Sequence, residues 1–148
     1  MSATGNSIGN GVGRVADVVW ALLDTDQVSR MLDIKVLSAD EGRARARMQV
    51  RPDMVNGHRI LHGGLVFTLA DTVFACAANS FGPAAVTAAA DVQFLRPAYL
   101  GDVLIAEAAI RSRSGRTIIC DVTIRRGDEV VAEFRARGSL LGERSSAQ

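Results

Sequence analysis

Residues 62–75 read HGGLVFTLADTVFA, and the rest of the chain is organised around this stretch. It opens with two glycines and continues with good helix formers. Its apolar residues recur every three or four positions, as on a helix that is buried over much of its surface. They are Leu65, Val66, Leu69, Ala70, Val73, Phe74, Ala77 and Ala78. The stretch predicts a long buried helix that ends near Phe81-Gly82-Pro83, where glycine can cap a helix and proline stops it.

Asp71 is the only formally charged residue between Arg59 and Asp91. A carboxylate in an apolar helix is costly unless it is paired or hydrogen-bonded. In a structural role, Asp71 would cap a neighbouring loop or hold a register. In a functional role it would be a general base or a nucleophile, because carboxylates in apolar surroundings are concentrated at active sites. The pattern favours the functional role.

The composition excludes several classes of protein. The 148 residues suit one domain, and 48% apolar with 22% charged residues is typical of a globular protein. A net charge of +1 and few aromatic residues give no support for a nucleic-acid or membrane partner. No apolar run is long enough to span a membrane, and no signal-peptide pattern is present. Cys76 and Cys120 are too few for a disulfide scaffold and are expected in the core, so we predict a cytoplasmic protein.

The remaining sequence predicts mainly strands. We expect a short helix over 15–23, strands over 32–38 and 43–50, and a connector over 54–61. Strands over 86–95, 103–113, 117–126 and 130–140 follow the long helix, with hairpin turns at 114–116 and 127–129. We expect the four late strands to form a meander, and strand 86–95 to place Thr87 on the same face as Asp91 and Gln93.

A helix that is apolar almost all round cannot be covered by one flat sheet face. The sheet must curl around it, and part of its surface must meet another molecule. The predicted class is α+β, with one domain over 14–142 between flexible segments over 1–13 and 143–148.

The start of the long helix is a candidate oxyanion site. Helix N-termini carry unpaired N–H groups, and the missing side chains of Gly63 and Gly64 would let a carbonyl approach closely. Alternatively, the glycines serve only the backbone angles of a loop. Asp71 lies about 12 Å from Gly63 along the helix axis. If both act on one carbon, they come from two protomers with antiparallel helices, which predicts a homodimer with shared sites.

The connector adds further candidates. Asn56 could contact a substrate carbonyl or orient a water, or it could form an Asn-Gly turn with Gly57. His58 and His62 could act as a base or bind metal, but no third ligand has a suitable spacing, so we predict no metal site. We favour a role for His62 in packing or hydrogen bonding at the helix start.

Apolar and basic side chains offer candidate substrate contacts. Met54, Leu61, Phe67 and Phe74 could line an acyl pocket or belong to the core. Thr68 and Thr72 are expected to bond the preceding helical turn. The arginines of the late strands are mostly expected on a solvent face, but a few could bind the phosphates of a coenzyme.

Several motifs together resemble the hotdog-fold acyl-CoA thioesterases, most of all the branch associated with phenylacetate degradation. They are Asn56-Gly57-His58, His62-Gly63-Gly64-x-x-Phe67-x-Leu69-Ala70-Asp71, Asn79-Ser80, Phe94-Leu95-Arg96-Pro97 and Gly101-Asp102. The resemblance covers about residues 32–142. It implies a six-stranded antiparallel sheet wrapped around the long helix, dimers with continuous sheets, and commonly a homotetramer. It also implies hydrolysis of an acyl-CoA thioester to a free acid and coenzyme A, with no resident cofactor.

The resemblance implies roles for single residues. Asp71 takes the place of the catalytic carboxylate and Gly63 that of the oxyanion amide, with Asn56 near the thioester and His62 beside it. Related enzymes have Glu at the acid position and Thr one turn later. Here the second position is Ala75, so that hydroxyl is missing.

We therefore predict a thioesterase for aryl or medium-chain acyl-CoA substrates, similar to phenylacetyl-CoA. The predicted substrate contacts are Gly64, Phe67 and Thr72, and the predicted contacts to coenzyme A are Arg96, Arg113 and Arg116. Two alternatives stay open. A hotdog hydratase would act on the acyl carbons and need an Asp/His pair on a differently spaced loop. A non-catalytic acyl-CoA-binding protein would keep the pocket without a working base.

Overall fold

The computed structural model describes residues 12–142, in which one sheet surrounds one long helix. Its helices are α1 (Asp17–Asp24), α2 (Gln27–Met31) and α3 (Gly63–Asn79), with a 3-10 turn at Pro52–Met54. The strands are β1 (Lys35–Asp40), β2 (Arg43–Gln49), β3 (Ala85–Phe94), β4 (Val103–Ser114), β5 (Thr117–Arg126) and β6 (Glu129–Leu140). They form one antiparallel sheet in the order β1-β2-β4-β5-β6-β3, and α3 contacts every strand. The predicted six-stranded sheet wrapped around a central helix is confirmed.

The apolar period of α3 is the reason for this wrapping. Leu69, Ala70, Val73, Phe74 and Ala77 are fully buried, and Val66 and Ala78 are nearly so. The sheet approaches α3 closely at Gly138 of β6, where an added Cβ would lie only 2.7 Å from the Phe74 ring. The absence of a side chain at Gly138 therefore lets Phe74 pack directly against the sheet backbone.

The C-terminal end of α3 is fastened to the sheet by Asn79 and Ser80. Asn79 Nδ2 donates to the carbonyls of Ala75 and Ala85, and its Oδ1 accepts the Ala85 amide at 3.0 Å. Ser80 Oγ accepts the Gly42 amide at 2.8 Å. The Asn-Ser motif thus fixes where β3 begins relative to the helix.

The two cysteines lie in the core, as predicted. Cys76 on α3 and Cys120 on β5 are buried free thiols. Burial raises the pKa of each thiol to about 12, so neither provides a thiolate near neutral pH. No helix in the described part of the chain is both long enough and apolar enough to cross a lipid bilayer. The predicted flexible ends fall almost wholly on residues 1–11 and 143–148, outside the described range.

The predicted four-strand meander is wrong at its first strand. Only β4, β5 and β6 follow one another as neighbours, whereas β3 pairs with β6 at the far edge and β2 pairs with β4. The arrangement brings β3 beside α3, so the strand that follows the helix packs along it. The segment before β1 also differs from the prediction. Asp26 caps an unpredicted short helix, α2, and β1 starts at Lys35 rather than at residue 32.

A bulge in β3 corrects the predicted facing of its side chains. Thr87 pairs with Gly138 and Ala89 pairs with Arg137, so Ala88 has no partner on β6. The extra residue shifts the alternation by one, since a bulge interrupts the two-residue period. Thr87 therefore faces α3, away from the face that carries Asp91 and Gln93.

Candidate active site

A cleft of about 300 Å³ opens beside the N-terminal end of α3. One wall is the connector before the helix and the first helical turn, and the other is the segment that follows β3. The cleft is lined by Asn56, Ile60, Leu61, Gly63, Val66, Phe94, Leu95, Arg96, Pro97, Ala98 and Val131. It is mainly apolar with a few polar groups, as in small-molecule sites.

The amide of Gly63 is the free hydrogen-bond donor of this helix start. His62 caps the helix, and its Nδ1 accepts the Gly64 amide at 3.3 Å. Among the described residues, the Gly63 amide has no acceptor. A Cβ at Gly63 would meet the Phe94 ring at 3.2 Å, so a side chain there would crowd the cleft. The arrangement leaves one positively polarised N–H group facing a site that a carbonyl oxygen can occupy.

Asn56 forms the turn that the sequence left open as one of its two roles. Its Oδ1 accepts the amides of His58 at 2.9 Å and Ile60 at 3.2 Å, which builds the turn around Gly57. Both bonds use the carbonyl end of the side chain. Only Nδ2 remains, so Asn56 can act on a ligand in the cleft as a donor.

Asp71 lies two turns along α3 and is half-buried. Its Oδ1 accepts a 2.5 Å hydrogen bond from Thr87 Oγ1 on β3. Asp71 is not among the residues that line the cleft at Gly63. The structure thus holds the carboxylate against β3 and apart from the Gly63 amide within one protomer.

Thr87 is a site residue that sequence reasoning missed. The simple alternation placed it on the polar outer face, and the bulge at Ala88 carries it to the inner one. A search for hydroxyl side chains on the strand that follows the helix, as partners for its only charged residue, could have found Thr87. The resemblance looked for that hydroxyl at Ala75 on the helix, whereas the structure provides one from the sheet.

Phe67, Gly64 and Thr72 do not line the cleft. Phe67 packs edge-on against Phe134 of β6, with ring centroids 5.2 Å apart. The Gly64 amide is taken by His62, and Thr68 rather than Thr72 bonds the preceding turn, donating to the Gly64 carbonyl at 2.9 Å. Within one protomer, these predicted substrate contacts therefore belong to the helix and its packing.

The predicted contacts to coenzyme A are separated in the protomer. Arg96 lines the cleft beside Gly63, and its Nη1 donates to the Val130 carbonyl at 2.7 Å. Arg113 lies over the ring of Phe81, which follows the far end of α3, and Arg116 donates to the Leu140 carbonyl at 3.0 Å. A helix of this length spans about 24 Å, so only Arg96 is close to the Gly63 cleft in the same protomer.

The histidines do not form a metal centre within residues 12–142. No group of three or more His, Cys, Asp or Glu side chains is arranged there to hold a metal ion. His62 accepts a hydrogen bond as the helix cap, in agreement with a role at the helix start.

Comparison with known proteins places this geometry in a family. The model of the Thioesterase superfamily matches residues 58–133, which include Asp71, Thr87 and every residue of the cleft except Asn56. The chain belongs to the Thioesterase superfamily. It is 42% identical over 123 residues to the acyl-coenzyme A thioesterase PaaI of Escherichia coli, a match that covers 82% of this chain and 88% of that protein.

Solved structures of the superfamily agree with the hotdog fold. The E. coli PaaI protein, from the phenylacetic acid degradation operon, superposes with a TM-score of 0.82 at 39% identity. The match covers 86% of this chain and 96% of that one. A Streptococcus mutans protein bound to acetyl CoA gives a TM-score of 0.71 at 26% identity, over 76% of this chain and 91% of that one.

Proposed function

We propose that this protein is an acyl-CoA thioesterase in which Asp71 is the catalytic carboxylate. The observation that carries the proposal is the hydrogen bond from Thr87 to Asp71 Oδ1. It holds one oxygen of the only charged side chain on a buried helix and leaves Oδ2 for a water molecule or a substrate carbon. Membership of the Thioesterase superfamily and the similarity to the E. coli acyl-coenzyme A thioesterase support this reaction.

The proposed reaction adds water across the thioester bond. Asp71 removes a proton from water as the water oxygen attacks the thioester carbonyl carbon. The carbonyl oxygen becomes an oxyanion. The Gly63 amide and Asn56 Nδ2 donate hydrogen bonds to that oxyanion. The intermediate then collapses, the carbon–sulfur bond breaks, and the coenzyme A thiolate leaves and is protonated. Alternatively, Asp71 attacks the carbon directly and expels the coenzyme A thiolate as the carbon–sulfur bond breaks; water then hydrolyses the resulting anhydride to the free acid and the Asp71 carboxylate, and its released proton goes to the thiolate.

We further propose that the site is shared between two protomers. Gly63 and Asp71 are about 12 Å apart along one helix, too far to act on the same carbon. Antiparallel pairing of two α3 helices would bring Asp71 of one protomer to the Gly63 amide of the other. The exposed β3 strand supports such pairing, because it lies at a sheet edge beside α3. In the proposed dimer, the sheets are continuous across β3, and a pair of dimers gives the homotetramer.

The proposed substrate has an apolar acyl group on coenzyme A. The S. mutans relative binds acetyl CoA, and the E. coli relative comes from a phenylacetic acid degradation operon. Leu61, Val66 and Phe94 give the cleft apolar walls suited to an aryl or medium-chain group, and Arg96 offers a cation to the coenzyme phosphates. The roles of Gly64, Phe67, Thr72, Arg113 and Arg116 as contacts made across the dimer stay proposals.

The proposal includes a cellular location and a reaction without a cofactor or a metal ion. The reaction uses water, a carboxylate and hydrogen-bond donors, so it needs no resident cofactor and no metal. The buried free thiols of Cys76 and Cys120 suit a reducing compartment, which supports a cytoplasmic location.

Release of free thiol from a panel of acyl-CoA substrates tests the proposed function. Phenylacetyl-CoA, a hydroxylated phenylacetyl-CoA and straight-chain thioesters provide the comparison. We expect the wild type to release thiol and Asp71→Asn to lose roughly 10²- to 10⁴-fold in kcat, the usual contribution of a general base. Asp17→Asn, which changes an exposed helical aspartate on α1, is the matched control.

The possible outcomes separate the rival functions. Near-normal turnover by Asp71→Asn would rule out Asp71 as the catalytic group. Hydration of an enoyl thioester without thiol release would identify a hydratase. Binding of coenzyme A without any turnover would identify a non-catalytic acyl-CoA-binding protein. A single turnover in ¹⁸O water, followed by mass measurement of Asp71, decides between the general-base and anhydride routes.

A further inference from the structure

The segment after β3 forms one wall of the cleft and has little regular structure. Leu95, Arg96, Pro97 and Ala98 line the cleft, and of these only Ala98 is buried. Backbone bonds anchor the segment at its start to Val131 and at Ala98 to the Leu61 amide. Between these anchors and Asp102, further backbone bonds join Gly101 and Asp102 to Val50 and Asp102 to Tyr99, and side chains add bonds at Pro97 and Tyr99.

Arg126, at the end of β5, holds that stretch together. Its Nη1 donates to the Pro97 carbonyl and to Asp102 Oδ2, both at 2.9 Å. Asp102 Oδ2 also accepts the Tyr99 amide at 2.8 Å, and the Tyr99 ring lies 5.9 Å from the guanidinium carbon of Arg126. One guanidinium group therefore fixes both the carbonyl and the carboxylate that shape the wall.

The Arg126–Asp102 pair is stronger than an ordinary surface pair. The two side chains are only 25% and 24% exposed, so water screens them less than it does the exposed pairs. Burial acts to raise the pKa of Asp102, but the Tyr99 amide and Arg126 outweigh it and hold this pKa below its usual range. The carboxylate is ionised and keeps its cation partner at neutral pH.

Glu129 links this cluster to Arg96. Arg126 Nη2 donates to Glu129 Oε2 at 2.9 Å, while Arg96 Nε lies 3.8 Å from the same oxygen. Two cations therefore share one carboxylate, and Arg126 has the shorter contact. Without Arg126, Glu129 would be free to move onto Arg96 and neutralise the cation at the cleft.

We propose that Arg126 is a positioning residue for substrate binding: it fixes the 95–102 wall and holds Glu129, which leaves Arg96 available to an anionic group of the substrate. The inference rests on the proposed function, because it assigns Arg96 to the coenzyme A part of an acyl-CoA. Asp71 and Thr87 have no contact with the cluster, so the effect belongs to binding rather than to the chemical step.

A mutant cycle between Arg126 and Glu129 tests this inference. We expect Arg126→Ala to raise KM for acyl-CoA about tenfold with kcat within about twofold, as for a loss of binding that is equal in ground and transition states. Adding Glu129→Gln removes the competing carboxylate but does not restore the wall, so the double variant should recover part of the KM increase. A role of Arg126 confined to the wall predicts no recovery.

Matched variants and a second readout complete the test. Arg111→Ala removes an exposed arginine that pairs with Asp121 on the outer face, and its KM should not change. Hydrogen exchange at the Tyr99 amide, which donates to Asp102, should be faster in Arg126→Ala and unchanged in Arg111→Ala. If Arg126→Ala does not fold, Arg126→Lys with and without Glu129→Gln provides the same comparison with a smaller KM increase.

The results distinguish a failure of the Arg126 inference from a failure of the proposed thioesterase function. If the wild type releases no thiol from any acyl-CoA, the proposed function fails, and calorimetric binding of coenzyme A to the same variants still measures the Arg126 effect. An unchanged KM in Arg126→Ala, a fall in kcat that matches the rise in KM, or an unrecovered double variant would each overturn the positioning role.

Discussion

The two edges of the sheet differ in how their backbone groups are used. The β1 edge is covered by the chain's own residues 13–16, through Gly13 N–H to Leu37 O at 2.8 Å and Ala16 N–H to Ala39 O at 2.8 Å. The Ala39 amide in turn donates to Arg14 O at 2.9 Å. The β3 edge runs over Ala85–Phe94 and pairs only with β6 within the described residues.

The difference favours the β3 edge as the interface of the dimer that we propose. Exposed edges invite pairing, and proteins normally protect them with lysine, proline or a covering segment. Most residues of β3 are exposed, and it contains neither lysine nor proline. The uncovered edge also carries Thr87, the partner of Asp71. We therefore expect changes at the covered edge to affect only the stability of the protomer. Changes at the open edge should affect both assembly and catalysis.

Blocking the open edge should have the largest effect. Ala88 is the bulge residue without a partner on β6, so we expect Ala88→Pro to disturb the open edge at little cost to the protomer's own ladder. We expect monomers by analytical ultracentrifugation and a loss of activity of about 100-fold, because each carboxylate loses the partner's oxyanion donor. Ala88→Ser keeps the N–H group and should stay dimeric and active. A fully active dimer of Ala88→Pro would argue against the β3 interface.

Removing the hydroxyl at the open edge should have an intermediate effect. Thr87→Val keeps the shape of the side chain but loses the bond to Asp71, so we expect kcat to fall about tenfold with little change in KM. Thr87→Ser should restore most of the activity. Thr123→Val is the control, because Thr123 donates to Glu133 at 2.8 Å on the outer face. Equal kinetics for Thr87→Val and Thr123→Val would show that the Thr87 hydroxyl has no part in turnover.

A change at the covered edge should have the smallest effect. Arg14 pairs with Asp40 at 3.1 Å, and the Arg14 side chain is 76% exposed. We expect Arg14→Ala to lower the free energy of unfolding by less than about 1 kcal/mol in urea denaturation, since exposed ion pairs contribute little. Its oligomeric state and kcat should equal those of the wild type. A change in either would mean that the β1 edge also takes part in assembly or catalysis.

Much of the fold follows from local patterns in the sequence. The apolar period of α3, the alternation of Ala44, Ala46 and Met48 in β2, and the glycine turns between the late strands are all present in the structure. These features depend on residues that are close in the sequence, so their periods and turn residues reveal them. The short helix α2 was missed because its five residues are too few to show a period.

The candidate site was only partly predictable. The structure brings Asn56, Gly63 and Arg96 to one cleft, and these positions come from three separate segments of the chain. The motif resemblance found them because they belong to a family pattern. The roles of Thr87 and of the cluster around Arg126 could not be predicted, because each depends on a contact between residues far apart in the sequence.

The sequence by itself determined that a buried helix carries a lone carboxylate and begins with two glycines, and that strands must wrap around it. The reason is that helix period, burial and the cost of an isolated charge can be read from neighbouring residues. Only the tertiary structure decided that β3 crosses to the far edge, that a bulge at Ala88 turns Thr87 toward Asp71, and that Arg126 donates to Glu129. Strand order, register and shared ion pairs are set by packing between distant segments, and no local pattern records them.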